Sequence, residues 1–528
     1  MHKTASTRRA LRSIRSSFTI DWPRLTCSPS RRYSTQKQHH ETVDANNLKQ
    51  PFYSILRWLH NEHLPVRIPE RHFHFRIHKL CAIIAKSVDQ SCDDITLFRT
   101  IAEESSSHRI FEATFRDGQI VIARLPYPYT VPQNYGVASE VATMEFLRLH
   151  GIPIPKVFDW SSSSSNSVGS EYIIMEKLPG KRLSSTWYNM TARKRWYLME
   201  KIVRLEQTFF DIQFPVSGSI FYKNSLEPGV RSVDLPQTIT DGAKFCIGPS
   251  TDYLWWFQNR HELSVSHGPW DTSEDVLKAV GERELQWLQK FGQPSRPAGA
   301  NRLPEGLSQG CPYLVPKKTE DNAPTIRHPD LSPYNIFVSE SGDITGVIDW
   351  RHTAILPIFL QAKVPKHFQY YEDKDSRDLK SPSLPPNFDT LCDGEKEDEM
   401  EIHRRRQVHC YYVAYTIRHR KSYFYAAAQF SLFHLLKTIL YDVACKPWEG
   451  DNTSLQAELI HAIQNWSALV PGNKKPPVQY SAEETKECLE RSAKLTEINE
   501  QLRRIPRDHR IATQPRFFVD KKGILVRH

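Results

Sequence analysis

The chain has 528 residues, 39% hydrophobic and 11% aromatic, which is enough for roughly two to four domains or one two-lobed domain with extensions. Its net charge is +10, but residues 1–33 hold eight basic residues and one acidic residue, a net +7, so the nearly balanced remainder gives no reason to predict nucleic-acid binding. The nine cysteines form no C-x-x-C pair, which argues against zinc and redox motifs.

Residues 1–33 have the features of a mitochondrial transit peptide. The segment is rich in Arg and Ser and poor in acidic residues, and Arg8, Arg12 and Arg15 would share one face of a helix. The sequence "RRYSTQ" resembles a matrix-processing site with cleavage after Tyr33. We therefore expect the mitochondrial import machinery to carry the chain into the matrix. A disordered basic tail is the alternative.

Residues 34–94 are predicted to form a linker and helical extension, and residues 95–180 a small β-rich lobe. In that lobe, "HRIFEATF" and "QIVIARLP" flank the turn "RDG" and have the composition of a β-hairpin. A helix is predicted in "GVASEVATMEFLRLHG", closed by Gly151. The buried strand "EYIIMEKLPG" then ends in a Pro-Gly turn, and residues 175–180 are the predicted hinge.

Residues 181–503 are predicted to form a large, mostly helical lobe, followed by a C-terminal tail at 504–528. Two segments rich in Pro, Gly or charge, 292–325 and 371–398, predict surface insertions. Strand patterns occur only in "NIFV" and "ITGVIDW", which predicts a single hairpin in this lobe. The helical patterns cover 191–210, 250–263, 273–291, 400–445, 454–468 and 481–503.

The most apolar long stretch, 423–444, is interrupted by Gln429, His434 and Lys437. A membrane span needs about 20 predominantly apolar residues, so this stretch predicts a buried helix. No transmembrane segment is expected in the chain.

The loop "RHPDLSPYNIFV" places His328, Asp330 and Asn335 directly before a core strand, within a predicted catalytic loop at 327–350. Phosphoryl transfer from ATP needs a carboxylate that accepts the proton of the attacking hydroxyl and oxygen ligands that hold Mg²⁺. We predict that Asp330 is the catalytic base and that His328 braces the loop through hydrogen bonds. Asn335 and, after the hairpin, Asp349 are the predicted magnesium ligands.

The small lobe offers the groups that ATP itself would need. Arg124 in "VIARLP" is predicted to meet the phosphates, and Glu140 in "ASEVATM" is predicted to pair with it. The hinge backbone at Glu176, Lys177 and Leu178 is expected to bind the adenine. Each prediction has a structural alternative: the carboxylates at 330 and 349 would cap turns, and the Arg–Glu pair would be surface charges. The ordered combination favours catalysis.

The motifs "HPDLSPYNIFV" and "GDITGVIDW" resemble the aminoglycoside phosphotransferase / choline kinase-like family. Further segments, "FPVSGSIFY", "CIGPS" and "HGPW" among them, look like its fungal mitochondrial branch. The resemblance covers about residues 70–290 and 325–470. It implies an α+β, bilobal, protein-kinase-like fold with a small β-rich N-lobe and a large helical C-lobe. It also implies ATP and Mg²⁺ as cofactors, with Asp330, Asn335 and Asp349 in the roles given above.

The sequence departs from the family at the phosphate-covering loop. Relatives have a pattern similar to E-G-G-[FY]-N, whereas this chain has "ESSSHRIF", with Ser105, Ser106, Ser107 and His108. Glycine lets a backbone approach phosphate closely, so we expect these residues to bind the nucleotide more weakly. Arg124 stands where protein kinases have Lys, but it keeps the charge and can bind phosphate bidentately.

The sequence motifs leave three functions to be considered. An active phosphotransferase that acts on a hydroxyl of a small molecule is supported by the complete set of carboxylates and amide. A non-catalytic pseudokinase, acting as a nucleotide sensor or scaffold, is motivated by the serine-substituted loop. A protein kinase is disfavoured because the chain has H-P-D and I-D-W in place of H-R-D and D-F-G. The sequence does not identify the acceptor.

Overall fold

A computed structural model describes residues 74–101, 108–127, 132–236, 241–257, 259–291, 310, 313–419, 439–446, 453–470, 474–504, 517–519 and 525–527. Several predictions lie outside these residues: the transit peptide at 1–33, the linker at 34–73, the loop serines Ser105, Ser106 and Ser107, residues 292–309 of the first insertion, the apolar stretch up to residue 438 and most of the C-terminal tail.

The small lobe is built on a five-stranded antiparallel sheet with the order β1-β2-β3-β5-β4. The predicted hairpin is β2–β3, and β1 is an additional strand that the sequence patterns did not indicate. One helix, α1, precedes the sheet, and a second, α2, connects β3 to β4. The bounds are α1 Ile77–Ser87, β1 Ile95–Thr100, β2 His108–Phe115, β3 Ile120–Pro126, α2 Tyr135–Leu149, β4 Val157–Ser161 and β5 Tyr172–Glu176.

The register of β2 and β3 sorts their side chains onto two faces. Ile110 pairs with Arg124 and Glu112 with Ile122, and alternate residues of a strand point to opposite faces. The face that includes Phe111 packs beneath α1, whose Leu80 and Ile84 are fully buried. The other face, with Arg124, is directed toward α2 and the large lobe, where Ile122 packs against a core shared by both lobes.

The large lobe begins with a short strand that pairs with the predicted hairpin, in the order β12-β11-β6. Its strands are β6 Lys181–Arg182, β7 Ser219–Tyr222, β8 Val233–Asp234, β9 Phe245–Gly248, β10 Pro324–Ile326, β11 Ile336–Val338, β12 Ile344–Val347 and β13 Ile355–Pro357. In the tail, β14 Phe517–Val519 and β15 Leu525–Arg527 form a separate two-stranded sheet. Its helices are α3 Ser184–Trp187, α4 Ala192–Phe210, α5 Ser273–Phe291, α6 Ile358–Gln361, α7 Lys374–Arg377, α8 Asp393–His419, α9 Thr453–Gln464, α10 Trp466–Leu469 and α11 Ala482–Arg504; residues 439–444 are also helical.

Helix α4 shows why the large lobe is helical. Thr191 caps its first turn by accepting a hydrogen bond from the Lys194 N–H, which satisfies one of the unpaired amides at a helix start. Leu198, Ile202 and Phe209 recur at helical spacing and are buried. This apolar face packs in the main core against α8, so α4 and α8 form the support behind the catalytic loop.

Two predictions for the large lobe were wrong. The region 250–263 was predicted to be one helix, but it contains two single 3₁₀ turns, Tyr253–Trp255 and Arg260–Glu262. Asp252 caps the start of the first turn by accepting the Leu254 N–H. Asn259, with a left-handed φ of 59°, prevents a continuous helix before the second turn. The predicted hairpin is present as β11–β12, but the prediction that it is the only strand pair of this lobe is wrong, because β7–β9 and β10–β13 form further sheets. Strands this short show no readable periodicity.

The predicted boundaries of α8 also need correction, since it begins at Asp393, inside the segment predicted to be an irregular insertion. Among the described residues, no helix is both long enough and apolar enough to cross a bilayer. The small sheet, with α1 on one face and α2 on the other, is joined by a short hinge to a mostly helical lobe. This is the α+β, bilobal, kinase-like architecture that the motifs predicted.

Candidate active site

The catalytic loop lies between β10 and β11, and His328 fixes its shape. The Asp330 N–H donates to His328 Nδ1 at 3.1 Å, so the imidazole proton resides on Nε2. That nitrogen donates to the Ile348 carbonyl at 2.9 Å. Burial lowers the pKa of His328, in agreement with a neutral ring. His328 therefore connects the loop of Asp330 to the residue directly before Asp349.

Asn335 connects the same two segments. Its Nδ2 donates to the Asp330 backbone carbonyl at 2.9 Å and to Asp330 Oδ2 at 3.2 Å. Its backbone carbonyl accepts the Ile348 N–H at 3.0 Å. The hairpin β11–β12 thus brings Asp349 back beside Asn335. Because the amide nitrogen is used on Asp330, the amide oxygen is the atom left for a cation.

Asp349 occupies a strained backbone position. Its φ is 67°, in the left-handed region that Asp tolerates better than most residues. The neighbouring Trp350 is completely buried, and its indole N–H donates to the Val347 carbonyl at 3.2 Å. The tryptophan therefore anchors the end of the hairpin, while the carboxylate beside it remains one-third exposed. Strained residues of this kind are typical of functional sites.

Arg124 and Glu140, the predicted pair of the small lobe, form a buried ion pair with 2.5 Å between Nη2 and Oε1. Burial alone would lower the pKa of Arg124, but the negative charge of Glu140 offsets this and raises it. Arg124 Nη1 also lies 4.0 Å from Asp349 Oδ1. The cation of the small lobe thus reaches the carboxylate of the large lobe.

Helix α2 is held in place from the large lobe. Its Ala138 packs with Phe221 of β7 and Cys246 of β9. Tyr222 of β7 also donates a hydrogen bond to Glu145 of α2, at 2.5 Å. These contacts fix the helix that carries Glu140, and thereby the ion pair with Arg124.

Asp330 is more than half exposed, and its carboxylate faces His367, with 3.5 Å between Oδ1 and Nε2. This contact is the largest influence on the pKa of Asp330 and holds it below its ordinary value. The carboxylate is therefore ionised at neutral pH and open to an incoming group. Tyr334, half-exposed, contacts the same imidazole ring.

Sequence reasoning missed a buried anchor behind the loop. Arg327 donates from Nε to Glu206 at 3.1 Å and from Nη2 to the Tyr412 hydroxyl at 3.0 Å, and Tyr412 donates to Glu206 at 2.7 Å. This network attaches the catalytic loop to α4 and α8. His367 was also missed. No local spacing signals either contact, because the partners are distant in sequence.

The hinge residues have separate roles. Glu176 holds Lys156 through both its backbone N–H and its carboxylate. Lys177 Nζ donates to Glu112 at 2.7 Å, which joins the hinge to the sheet. Leu178 packs directly on Gly346 of β12, where a Cβ atom would lie 2.2 Å from Leu178 Cδ1. The hinge is therefore fitted closely to the hairpin.

The sequence predicts that His108 belongs to the phosphate-covering loop, but the structure places it in a strand. It is the first residue of β2, buried, and it pairs with Pro126. The register places it on the same face as Arg124. Burial, followed by the charges of Arg124, Arg351 and His352, lowers the pKa of His108 well below its ordinary value.

The residues present fit a magnesium ion. Asn335 and Asp349 offer an amide and a carboxylate oxygen, the ligands that Mg²⁺ prefers, and Mg²⁺ usually keeps several waters. The described part of the chain contains no group of three or more His, Cys, Asp and Glu side chains that could hold a metal. A site of one carboxylate and one amide oxygen suits Mg²⁺ better than zinc.

Several known proteins resemble this chain in sequence over most of its length. No protein-family model matches the chain. It is 29% identical over 453 residues to the subtelomeric hrmA-associated cluster protein of Aspergillus fumigatus (strain CBS 144.89 / FGSC A1163 / CEA10), covering 77% of this chain and 86% of that protein.

The chain is also 24% identical over 438 residues to altered inheritance of mitochondria protein 9, mitochondrial, of Candida tropicalis, covering 74% of this chain and 69% of that protein. Among solved structures, it aligns with Plasmodium vivax ethanolamine kinase with a TM-score of 0.33 and 11% identity, covering 78% and 96% of the two chains. Both relatives are fungal proteins, and the Candida tropicalis relative is named as a mitochondrial protein.

Proposed function

We propose that the chain is an ATP- and Mg²⁺-dependent phosphotransferase that transfers a phosphoryl group to a hydroxyl of a small molecule. The observation that carries this proposal is the gathering of Asp330, Asn335, Asp349 and Arg124 where the two lobes meet. The side chains come from both lobes, and each supplies a group that phosphoryl transfer requires.

Asp330 accepts the proton of the attacking hydroxyl, because it is ionised and accessible. Asn335 and Asp349 hold Mg²⁺, which neutralises the charge of the phosphates when it is bound. Arg124 binds the α- and β-phosphates and is steered by Glu140. His328 keeps Asp330 and the segment before Asp349 at a fixed separation. The backbone of Glu176–Leu178 binds the adenine.

The protein acts in mitochondria, in our proposal in the matrix, after residues 1–33 have directed import. The transit-peptide pattern and the name of the Candida tropicalis relative support this location. We propose the same division into domains that the sequence predicts. A linker and helical extension cover 34–94, the N-lobe 95–180, the C-lobe 181–503 and the tail 504–528.

A pseudokinase that senses nucleotide or serves as a scaffold is the second candidate. The sequence "ESSS" favours it, because serine restricts the backbone where glycine would approach phosphate. Such a protein would keep its fold and its core but would not need Asp330.

Calorimetric titration of ATP into the full chain, with and without Mg²⁺, tests the nucleotide site. We expect binding that requires Mg²⁺ and that is lost in Asp349→Ala. Asp330→Ala separates the two candidates: the enzyme keeps ATP binding but loses function in cells, whereas a scaffold loses neither. Absence of binding at millimolar ATP would refute the enzyme and place the scaffold first.

A further inference from the structure

Arg351 stands two residues after Asp349, in a turn whose backbone is strained at both ends. Asp349 has a φ of 67° and His352 a φ of 62°. Two non-glycine residues with positive φ within four positions are costly, at about 1–3 kcal/mol each for such conformations, and persist only where their surroundings enforce them. The residues of the turn do not themselves favour this backbone conformation. Contacts around the turn therefore enforce it and fix the position of Arg351.

The surroundings that enforce the turn are on the large lobe. His352 Nδ1 lies 2.8 Å from the Thr251 carbonyl, and the Thr353 carbonyl accepts a hydrogen bond from Ser219 Oγ at 2.7 Å. Ser219 also accepts the Thr251 N–H at 3.0 Å, and the Thr251 hydroxyl lies 3.5 Å from that of Ser139 on α2. A buried hydroxyl network thus joins the turn to the helix that carries Glu140.

Arg351 itself has no partner among the described residues. It makes no ion pair there, and its Nε is buried without a hydrogen-bond partner. Buried polar groups are normally hydrogen-bonded, so an orphaned guanidinium nitrogen in a braced turn indicates that a ligand completes the site.

The position of Arg351 identifies the charge of that ligand. It is close enough to His108 for its charge to act on that imidazole, together with the charge of Arg124. His108 and Arg124 lie on the cleft face of β2 and β3. Arg124 already has Glu140, and Asp349 would be committed to Mg²⁺ in the loaded site. Arg351, two residues after the carboxylate that reaches Arg124, is then a second cation without a countercharge among the described residues, which suits an anion.

We propose that Arg351 is a second phosphate-binding cation, which binds the β- or γ-phosphate of MgATP from the large lobe, opposite Arg124. This inference rests on the proposed function, and it assigns the arginine a specific contribution. Where a glycine-rich loop would supply backbone N–H groups to the phosphates, this chain supplies a guanidinium, a strong donor of charge-assisted hydrogen bonds.

Calorimetry on the full chain with Mg²⁺ tests the inference, using ATP, ADP and adenosine as ligands. Arg351→Gln removes the charge, Arg351→Lys keeps it, and Arg204→Gln is the control, an arginine exposed on α4 and paired only at the surface. We expect Arg351→Gln to weaken ATP binding roughly 10- to 100-fold, the usual range for a hydrogen bond to a charged group. Arg351→Lys should recover part of the loss.

Adenosine affinity should stay unchanged in all three variants, since it has no phosphate, and this also shows that the pocket is intact. Equal ATP affinity in wild type and Arg351→Gln overturns the inference but leaves the proposed function standing. Parallel losses for ATP and adenosine overturn it as well, because they indicate pocket damage. A wild-type chain that binds no MgATP overturns the proposed function and this inference together.

Discussion

The side-chain amide of Asn335 lies 2.9 Å from the backbone carbonyl and 3.2 Å from the carboxylate of Asp330. Because the amide nitrogen of Asn335 donates to Asp330, the amide oxygen of Asn335 remains available to a metal ion. One residue therefore orients the candidate base and offers a metal ligand. The spacing of five residues between Asp330 and Asn335 allows this contact, because it lets the loop fold back until the Asn335 side chain reaches Asp330.

Asn335→Asp tests this double use. The substitution keeps an oxygen ligand but replaces the N–H donors with a second carboxylate 3.2 Å from that of Asp330. Two carboxylates so close raise the pKa of one of them. We expect the pKa of Asp330 or its new neighbour to rise in the metal-free protein, measured by NMR titration of the carboxyl carbons. Unchanged carboxyl titration would contradict the contact.

Asn335→Ala removes the ligand and the clamp together. We expect the Mg²⁺ concentration needed for half-maximal ATP binding to rise at least about tenfold, in line with losses seen when the surroundings of a metal site are altered. The matched control is Asn189→Ala, an exposed asparagine outside the loop. If both variants need the same Mg²⁺ concentration as the wild type, Asn335 is not a ligand.

The pH dependence of stability should reveal the contact between Asp330 and His367. The pKa of Asp330 is lowered in the folded protein, first by this contact. A depressed carboxyl pKa contributes stability above the unfolded pKa of about 3.9, and that contribution is lost as the pH falls through the folded pKa. We expect the difference in unfolding free energy between wild type and Asp330→Asn to shrink as the pH falls below about 4.

His367→Ala is the companion variant for this experiment. Without the imidazole, the pKa of Asp330 should move back toward its ordinary value, so the difference between His367→Ala and its Asp330→Asn double variant should be smaller at pH 5. Urea unfolding at a series of pH values measures all four proteins. A difference that stays the same with and without His367 would show that the contact does not perturb Asp330.

The catalytic loop and the hairpin after it could be predicted from sequence because their geometry is local. Asp330, Asn335 and Asp349 lie within 20 residues of one another, and the strands between them are bounded by a turn containing Gly342, which has a φ of 80°. The Arg124–Glu140 pair followed from the order of hairpin and helix. In the catalytic loop and its hairpin, secondary structure alone brings the side chains together, whereas the Arg124–Glu140 pair also needs the contacts that hold α2 in place.

The contacts that support the site could not be predicted, since they depend on the tertiary fold. Arg327 is 121 positions from Glu206, and Tyr412 is 206 positions from it. Nothing in the spacing of these residues distinguishes them from other buried polar groups. The wrong helix prediction for residues 250–263 has another cause. Asp252 and Asn259 favour local turns, and a helical pattern averaged over the whole segment does not reveal them.

The ion pair of Arg124 and Glu140 should contribute measurably to stability because it is buried. Glu140→Gln leaves an arginine with less than a tenth of its side chain exposed and no full countercharge. Breaking a buried pair typically costs about 3–5 kcal/mol. We expect a loss of unfolding free energy in this range, by urea denaturation, and a smaller loss than the sum of the single changes in the double variant with Arg124→Met.

Asp271→Asn is the control for that measurement. It breaks the ion pair with Arg231, in which both side chains are more than half exposed, and such surface pairs contribute roughly 0–1 kcal/mol. Similar losses in Glu140→Gln and Asp271→Asn would mean that burial does not strengthen the Arg124 pair. Additive losses in the double variant would mean that the two residues do not interact.

Gly180, at the end of the hinge, allows the closest approach between the hinge and the hairpin. Its φ is 91°, and a Cβ atom there would lie 2.4 Å from the Val338 carbonyl oxygen, a backbone atom that cannot easily move. Gly118 is a matched control, with a φ of 88° and no atom within 4 Å of its Cβ position. Both substitutions to Ala carry the left-handed backbone cost of about 1–2 kcal/mol.

Only Gly180→Ala adds a steric clash, so it should lose more stability than Gly118→Ala in parallel urea denaturation. It should also weaken ATP binding, because separating β6 from β11 displaces the hinge backbone proposed to bind adenine. Gly118→Ala, in the turn between β2 and β3, should bind ATP as the wild type does, because its Cβ atom would contact nothing. Equal losses of stability in the two variants would show that the hinge tolerates a side chain at this position, and that the hairpin does not fix the hinge.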